Sequence, residues 1–357
     1  MSYHPRTLLG RHAVDERGIV VTRGGRAVDV GPAVLLILAL AGCGPAATGS
    51  PTSPSLPSPT ATGTPTAAPS DRPTASPTDT PVPDPVLLTA GDIAQCSQEG
   101  DEATALILAQ YPEATVQTLG DNAYNSGTPK QFGCFDDSWG VAKDRMYPAL
   151  GGHDYMTEGA AGYFDYFKDA LAPFAPTGND PAQGWYAYDL GAWRIIVLNS
   201  ICQHIGGCDA ASPQVAWLKE EVAAHPARCS LAAIHNPRFS SGRKGNEDEV
   251  KPLWDVLQSA GVELVLSGDN HAYERLAPMT PTGQKSPTGI RQFVVGTGGA
   301  RNYLFSEGEI HPNTEAGTDQ MHGVLKLTLQ ADGYAWEFLP EAGKTFEDSG
   351  SQMCHAP

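Results

Sequence analysis

The chain has 357 residues, 41% of them hydrophobic, with 39 Gly and 30 Pro. That suits one large α/β domain with non-globular sequence attached, and no internal repeat is visible. A formal net charge of −17 argues against a nucleic-acid-binding surface, because phosphate backbones attract basic faces. A phosphate ester as substrate stays open, since metal cations in a pocket reverse the local field.

Residues 1–43 read as an N-terminal extension and signal peptide. Val34 to Leu40 (VLLILAL) is an apolar core too short to span a bilayer. The following Leu-Ala-Gly-Cys resembles the bacterial lipoprotein cleavage box, which makes Cys43 the expected lipidation site and new N-terminus. The other reading is an ordinary secretory signal with an incidental Cys. The first twenty residues are mixed in charge, as expected if the true start lies nearer Arg23 and Arg26. Residues 44–85 are almost wholly Pro, Thr, Ser, Ala and Gly. They bury too little apolar surface to offset ordering entropy, so a mobile tether is expected there.

The domain proper spans 86–357. A strand over Val86–Ala90 leads to Asp92, and a helix is expected over 101–111. The next strand, 115–119, leads to Asp121 and Tyr124. A long loop over the site is expected for 122–162, carrying His153. The run Trp185 to Asn199 reads as a hairpin turning at Leu190-Gly191. A helix follows over 214–225, then the apolar run that ends at His235. Residues 239–248, rich in Gly, Asn and Ser, read as a second loop over the site. A helix over 247–260 and a strand over 262–266 lead to Asp269 and His271. A last hairpin turns at Asp332-Gly333. Parallel-type units mixed with hairpins suggest two sheets flanked by helices.

Five apolar runs thus break at Gly or Pro and end on metal-binding types of side chain. One Gly-Asp after a strand is usually a turn. Five such ends together point to one rim where ligands bind. Besides Cys43 there are six Cys: Cys96, Cys134, Cys202, Cys208, Cys229 and Cys354. An even number without a Cys-x-x-Cys pair points to disulfides in an exported domain, with Cys202–Cys208 the easiest to propose.

The segments GDIA, GDNAY, GGHD, IHNP and GDNH resemble, in order and wording, the motif blocks of the calcineurin-like metallophosphoesterases, in particular the purple acid phosphatase branch. The resemblance covers nearly everything from Val86 onward. It implies an αββα two-sheet sandwich with one or two metal ions at the strand ends. The first metal, expected to be Fe because a phenolate favours Fe(III), would take Asp92, Asp121, Tyr124 and His271. The second would take the bridging Asp121, His235 and Asp269. Two positions depart from the pattern: Gly152 stands where the family has a metal-binding Asn, and Asp269 where it has a His. A carboxylate for an imidazole makes that site harder, favouring Mn, Mg or Ca over Zn, or leaves it empty. The resemblance further implies hydrolysis of phosphate esters by a metal-bound hydroxide, with His153 donating a proton to the leaving group. The other reading is a catalytically impaired descendant that binds without turnover. Arg275 suits either substrate phosphate or a structural ion pair.

Overall fold

Short apolar runs rich in Val, Ile and Leu, each closed by Gly, Pro or Asp, set the strands. The computed structural model describes residues 83–175, 179–305 and 310–355; the expected signal peptide, Cys43 and the tether up to residue 82 lie outside the described residues. The chain begins with β1 (Val86–Ala90), β2 (Ala94–Gln95), α1 (Gly100–Ala109), β3 (Thr115–Thr118), β4 (Ala123–Tyr124), α2 (Pro129–Ser138) and β5 (Met146–Tyr147). Short helices α3 (Ala161–Tyr166) and α4 (Lys168–Leu171) precede the hairpin β6 (Tyr186–Leu190) and β7 (Trp193–Val197). Next come α5 (Pro213–Ala224), β8 (Cys229–Ile234), α6 (Lys251–Ser259), β9 (Leu264–Ser267), β10 (Tyr273–Leu276), β11 (Arg291–Val295) and β12 (Thr314–Thr318). The chain closes with β13 (Gly323–Leu329), β14 (Gly333–Pro340) and β15 (Ser349–Met353).

A six-stranded sheet runs β15-β14-β13-β1-β3-β5, and a seven-stranded sheet runs β12-β10-β11-β9-β8-β7-β6. Within them β1, β3 and β5 are parallel, as are β7, β8, β9 and β11. Side chains of a strand alternate between faces. In the seven-stranded sheet one set, Ile195, Val197, Leu231, Ala233, Leu264, Leu266 and Phe293, joins the core shared with Leu87, Leu325 and Leu327 of the other sheet. The alternate set, Ile196, Ala232, Ile234, Val265 and Val294, packs on Val215 and Leu218 of α5 and Leu253, Trp254 and Leu257 of α6. Helix α1 adds Ile107 and Leu108 to the first core and contacts β13. The expected two-sheet sandwich flanked by helices is therefore the fold.

Both hairpins form as read, with Leu190 opposite Trp193 and Leu329 opposite Tyr334. The expected loop over 122–162 needs correction, because it contains α2. Thr128 and Gln131 make a reciprocal capping box with Pro129 at the first turn, and Phe132 and Phe135 bury one face. The helix expected over 247–260 begins only at Lys251. Pro252 lacks an N–H and fits the first turn, where no donor is needed. The six Cys form three disulfides, Cys96–Cys134, Cys202–Cys208 and Cys229–Cys354. Cys229 opens β8 and Cys354 follows β15, so the third bond ties one sheet to the other. Among the described residues no helix is long and apolar enough to cross a membrane.

Candidate metal centre

Both sheets deliver side chains to one point. Asp92 follows β1 and Asp121 follows β3, while His235 follows β8 and Asp269 and His271 follow β9. All lie beyond the C-terminal ends of parallel strands, the usual rim for ligands in α/β folds. Each of the three Asp residues comes directly after a Gly and has a positive φ: 58° at Asp92, 50° at Asp121 and 66° at Asp269. That backbone is uncommon outside Gly, and Asp tolerates it better than branched residues do. Such turns cluster at functional sites. The close packing also explains two glycines. A Cβ on Gly120 would sit 2.7 Å from the His235 ring, and one on Gly151 would sit 2.2 Å from the Asp121 nitrogen.

Tyr124 lies at the centre. Its hydroxyl is 2.6 Å from Asp92 Oδ1, 2.9 Å from Asp121 Oδ2 and 3.0 Å from His271 Nε2. His271 Nε2 is 3.1 Å from Asp92 Oδ1. His235 Nε2 is 3.3 Å from Asp121 Oδ2 and 3.4 Å from Asp269 Oδ1. Ligand-type atoms of Asp92, Asp121 and His235 all lie within 4.8 Å of one another, a span that one cation can fill. The fold brings six of the residues singled out in the sequence close together: Asp92, Asp121, Tyr124, His235, Asp269 and His271.

The imidazoles are oriented from behind. His235 Nδ1 lies 2.7 Å from the Leu119 carbonyl, His271 Nδ1 is 2.7 Å from that of Arg301, and His153 Nδ1 is 2.6 Å from that of Asn125. A carbonyl only accepts, so each Nδ1 carries the proton and each Nε2 faces the carboxylates. This is the arrangement that fixes the tautomer of metal-ligating His. His235 Nε2 is fully buried yet makes no hydrogen bond, and so fits a cation at this point. His153 stands at the mouth, with its side chain 32% exposed and Nε2 3.9 Å from Asp121 Oδ2. Its ring lies 4.4 Å from that of Tyr124.

Charge is balanced by proximity. Burial opposes ionisation of Asp121, but His235 and His153 beside it hold its carboxyl well below the usual range. Burial likewise opposes protonation of His235, but the Asp121 charge first, and the nearby Asp269 and Asp92 carboxylates, raise it well above the ordinary imidazole value. Burial, then the charges of Asp121 and Asp92, keeps the Tyr124 phenol protonated far beyond its normal range. A cation between these groups would favour the deprotonated form of each, keeping Asp121 ionised and opposing the upward shifts of His235 and Tyr124.

Further residues border or brace the site, and of these Lys244 belongs to no sequence motif. Lys244, from the loop 239–248, places Nζ 2.5 Å from Asp269 Oδ1. Asp154 is buried next to the cluster. It accepts from the Gly151 amide at 2.9 Å and from Asn122 Nδ2 at 2.9 Å, which fixes the turn carrying His153. Burial first, then the Asp121 charge, pushes its carboxyl up to about 7. Gly152 borders open space: a Cβ there would meet no atom within 4 Å. Arg275 forms a structural ion pair with Asp348 at 2.8 Å and another with Glu315.

No family model matches the chain. It is 27% identical to purple acid phosphatase 18 of Arabidopsis thaliana over 141 residues, which is 37% of this chain and 30% of that protein. It is 24% identical to purple acid phosphatase 15 of the same plant over 184 residues, 48% of this chain and 34% of that protein. The chain thus spans about a third of the length of these curated relatives. Among solved structures, the purple acid phosphatase PPD1 from yellow lupin (Lupinus luteus) seeds superposes with a TM-score of 0.61 at 17% identity, over 75% of this chain and 53% of that one. GAP50, the anchor in the inner membrane complex of Plasmodium, superposes at 0.55 with 14% identity, over 77% of this chain and 90% of that one. PhoD superposes at 0.53 with 12% identity, over 76% and 69%. At these identities the structures speak for the fold alone.

Proposed function

We infer that this chain, a calcineurin-like metallophosphoesterase of the purple acid phosphatase-like branch, is a metal-dependent hydrolase of phosphate esters. The observation that carries this reading is the buried His235 Nε2. It has no hydrogen-bond partner, lies 3.3 Å from Asp121 Oδ2 and 3.4 Å from Asp269 Oδ1 with Asp92 within 4.8 Å, and belongs to a ring already anchored through Nδ1.

Asp92, Asp121, Tyr124, His271 and His235 would hold the metal, with Asp269 beside them. Mixed carboxylate, phenol and imidazole donors suit Fe, Mn or Zn. When bound, the metal neutralises phosphate charge and activates a water as nucleophile. The chain's own residues do the remainder. Anchored Nδ1 atoms keep three rings in place, so little reorganisation is needed when the ester arrives. His153, partly exposed at the mouth, has Nε2 3.9 Å from Asp121 Oδ2 and is the side chain placed to give a proton to the leaving group. As the water oxygen bonds to phosphorus, the bond from phosphorus to the ester oxygen breaks. The departing oxygen takes the Nε2 proton, and His153 is left neutral.

Three disulfides suit an oxidising compartment. With the apolar core ending at Leu-Ala-Gly-Cys43, they support export of the protein as a lipoprotein, tethered to a membrane by residues 44–85. A second reading, a phosphate-binding protein without turnover, draws on the pairing of Asp269 with Lys244. One assay separates the readings. The full mature chain is stripped with a chelator, reloaded with Fe, Mn or Zn, and supplied with p-nitrophenyl phosphate. Hydrolysis that disappears on stripping and returns on reloading supports the enzyme. Metal and phosphate binding without hydrolysis supports the second reading. A chain that binds no metal overturns both.

A further inference from the structure

Asp269, one of the two departures from the family pattern, is shared by two partners. Asp269 Oδ1 lies 3.4 Å from His235 Nε2, but it also lies 2.5 Å from Lys244 Nζ. Gly152, next to the Gly151 that packs on Asp121, offers no side chain and borders open space. The loop that carries Lys244 is built against this same corner. Its first turn is held by Glu274, which is fully buried and accepts from the Ser240 hydroxyl at 3.1 Å and the Ser241 amide at 2.8 Å. The Ser241 and Thr314 hydroxyls donate to its other oxygen, each at 2.5 Å. Asn270, the residue after Asp269, accepts from the Lys244 amide at 2.9 Å. A Cβ on Gly242 would fall 2.3 Å from the Asn270 side chain, so the loop closes this tightly only with Gly there. Lys244 is therefore positioned by the residue adjoining its partner. Its side chain remains 42% exposed, within reach of an incoming anion.

We infer that the site takes a single metal ion and that the Lys244 ammonium supplies the second positive charge. Lys244 pairs with Asp269 at rest and donates to a phosphate oxygen when the ester is bound. The inference rests on the metal-dependent phosphoesterase reading and concerns how that site divides its positive charge. An ammonium has three donors, so it can keep Asp269 and grip phosphate together. The ligand-type atoms of Asp92, Asp121 and His235 lie within 4.8 Å, so they can converge on one ion and leave Asp269 to Lys244.

The experiment dialyses the metal-free full chain to equilibrium against Mn²⁺ or Zn²⁺, counts bound metal by elemental analysis, and titrates the loaded protein with inorganic phosphate. It is run on the native chain, Lys244→Ala and Lys244→Arg, with thermal melting to confirm folding; Lys244 is on a half-exposed loop, so both variants should fold. The expected result is about one equivalent in the native chain. Lys244→Ala, held to one equivalent, should bind phosphate about ten- to a hundredfold more weakly, the loss of a charge-assisted hydrogen bond. Lys244→Arg should keep most of the affinity. At higher metal, Lys244→Ala should take up a second equivalent at the freed Asp269. Two equivalents in the native chain, or unchanged phosphate affinity in Lys244→Ala, overturns the inference. A native chain that binds no metal instead overturns the underlying phosphoesterase reading.

Discussion

His153 and Tyr124 stand within one ring's width of each other, yet their surroundings give them different work. Tyr124 is buried among carboxylates and His271, whereas His153 is half-exposed with Nε2 directed inward. A proton donor matters most when the leaving group is a poor one. His153→Ala should therefore lower kcat on an alkyl phosphate by about 10²–10⁴-fold. The loss on p-nitrophenyl phosphate should be much smaller, because that leaving group departs without a proton. Metal content should be unchanged. Equal losses on both esters would show that His153 positions the site rather than donating a proton. At this scale the sequence disclosed the residues whose backbone demands show locally: Gly-Asp at a strand end, or Asp121 and Tyr124 three apart. It did not disclose Lys244. A Lys has no local signature, and its partner Asp269 lies 25 residues away along the chain. Asp154 was visible only as a neighbour of His153, because its role depends on Asn122 and Gly151 being folded over it.

The strands were legible because burial on both faces leaves near-continuous apolar runs, as in 229–234 and 264–267. Helix α2 was not, because its first turn is capped by Thr128 and Gln131 while Gly133 and two Asp blur the apolar period. Contacts between elements were hidden altogether. Glu263, just before β9, meets His355 beside the Cys229–Cys354 bond, with Oε2 3.2 Å from His355 Nδ1. Burial pushes its carboxyl from 4.5 up to about 7. The protonated form is thus favoured by the fold. Its stabilisation is fully present below the unfolded value and is lost as pH rises through about 7. Glu263→Gln should match the native chain near pH 5 and exceed it at pH 8 by about 2 kcal/mol, a rise of several degrees in melting temperature. A native melting temperature at pH 8 equal to that of the variant would remove Glu263 from this account.

At the scale of the whole molecule, five motif segments each ending an apolar run suggest one rim, because parallel strands within a sheet put their C-terminal ends on the same side. The sequence could not say that two sheets share the work, with β1 and β3 in one and β8 and β9 in the other. That follows from long-range pairing such as β1 with β13, which leaves no local mark. The expected lipid anchor is a property of the full chain. Cys43→Ser should release the protein from membranes or block its maturation, read by fractionation and the mass of the mature N-terminus. Normal processing of a membrane-bound Cys43→Ser chain would refute the anchor. The central claim is that buried side chains from both sheets gather a metal needed for ester hydrolysis. It is tested most directly by elemental analysis of the purified full chain beside Asp121→Ala, since Asp121 is the carboxylate that both Tyr124 and His235 touch. The account predicts about one tightly held metal ion in the native chain, and little or none, with hydrolysis abolished, in a folded Asp121→Ala chain. Equal metal content in the two proteins would contradict it.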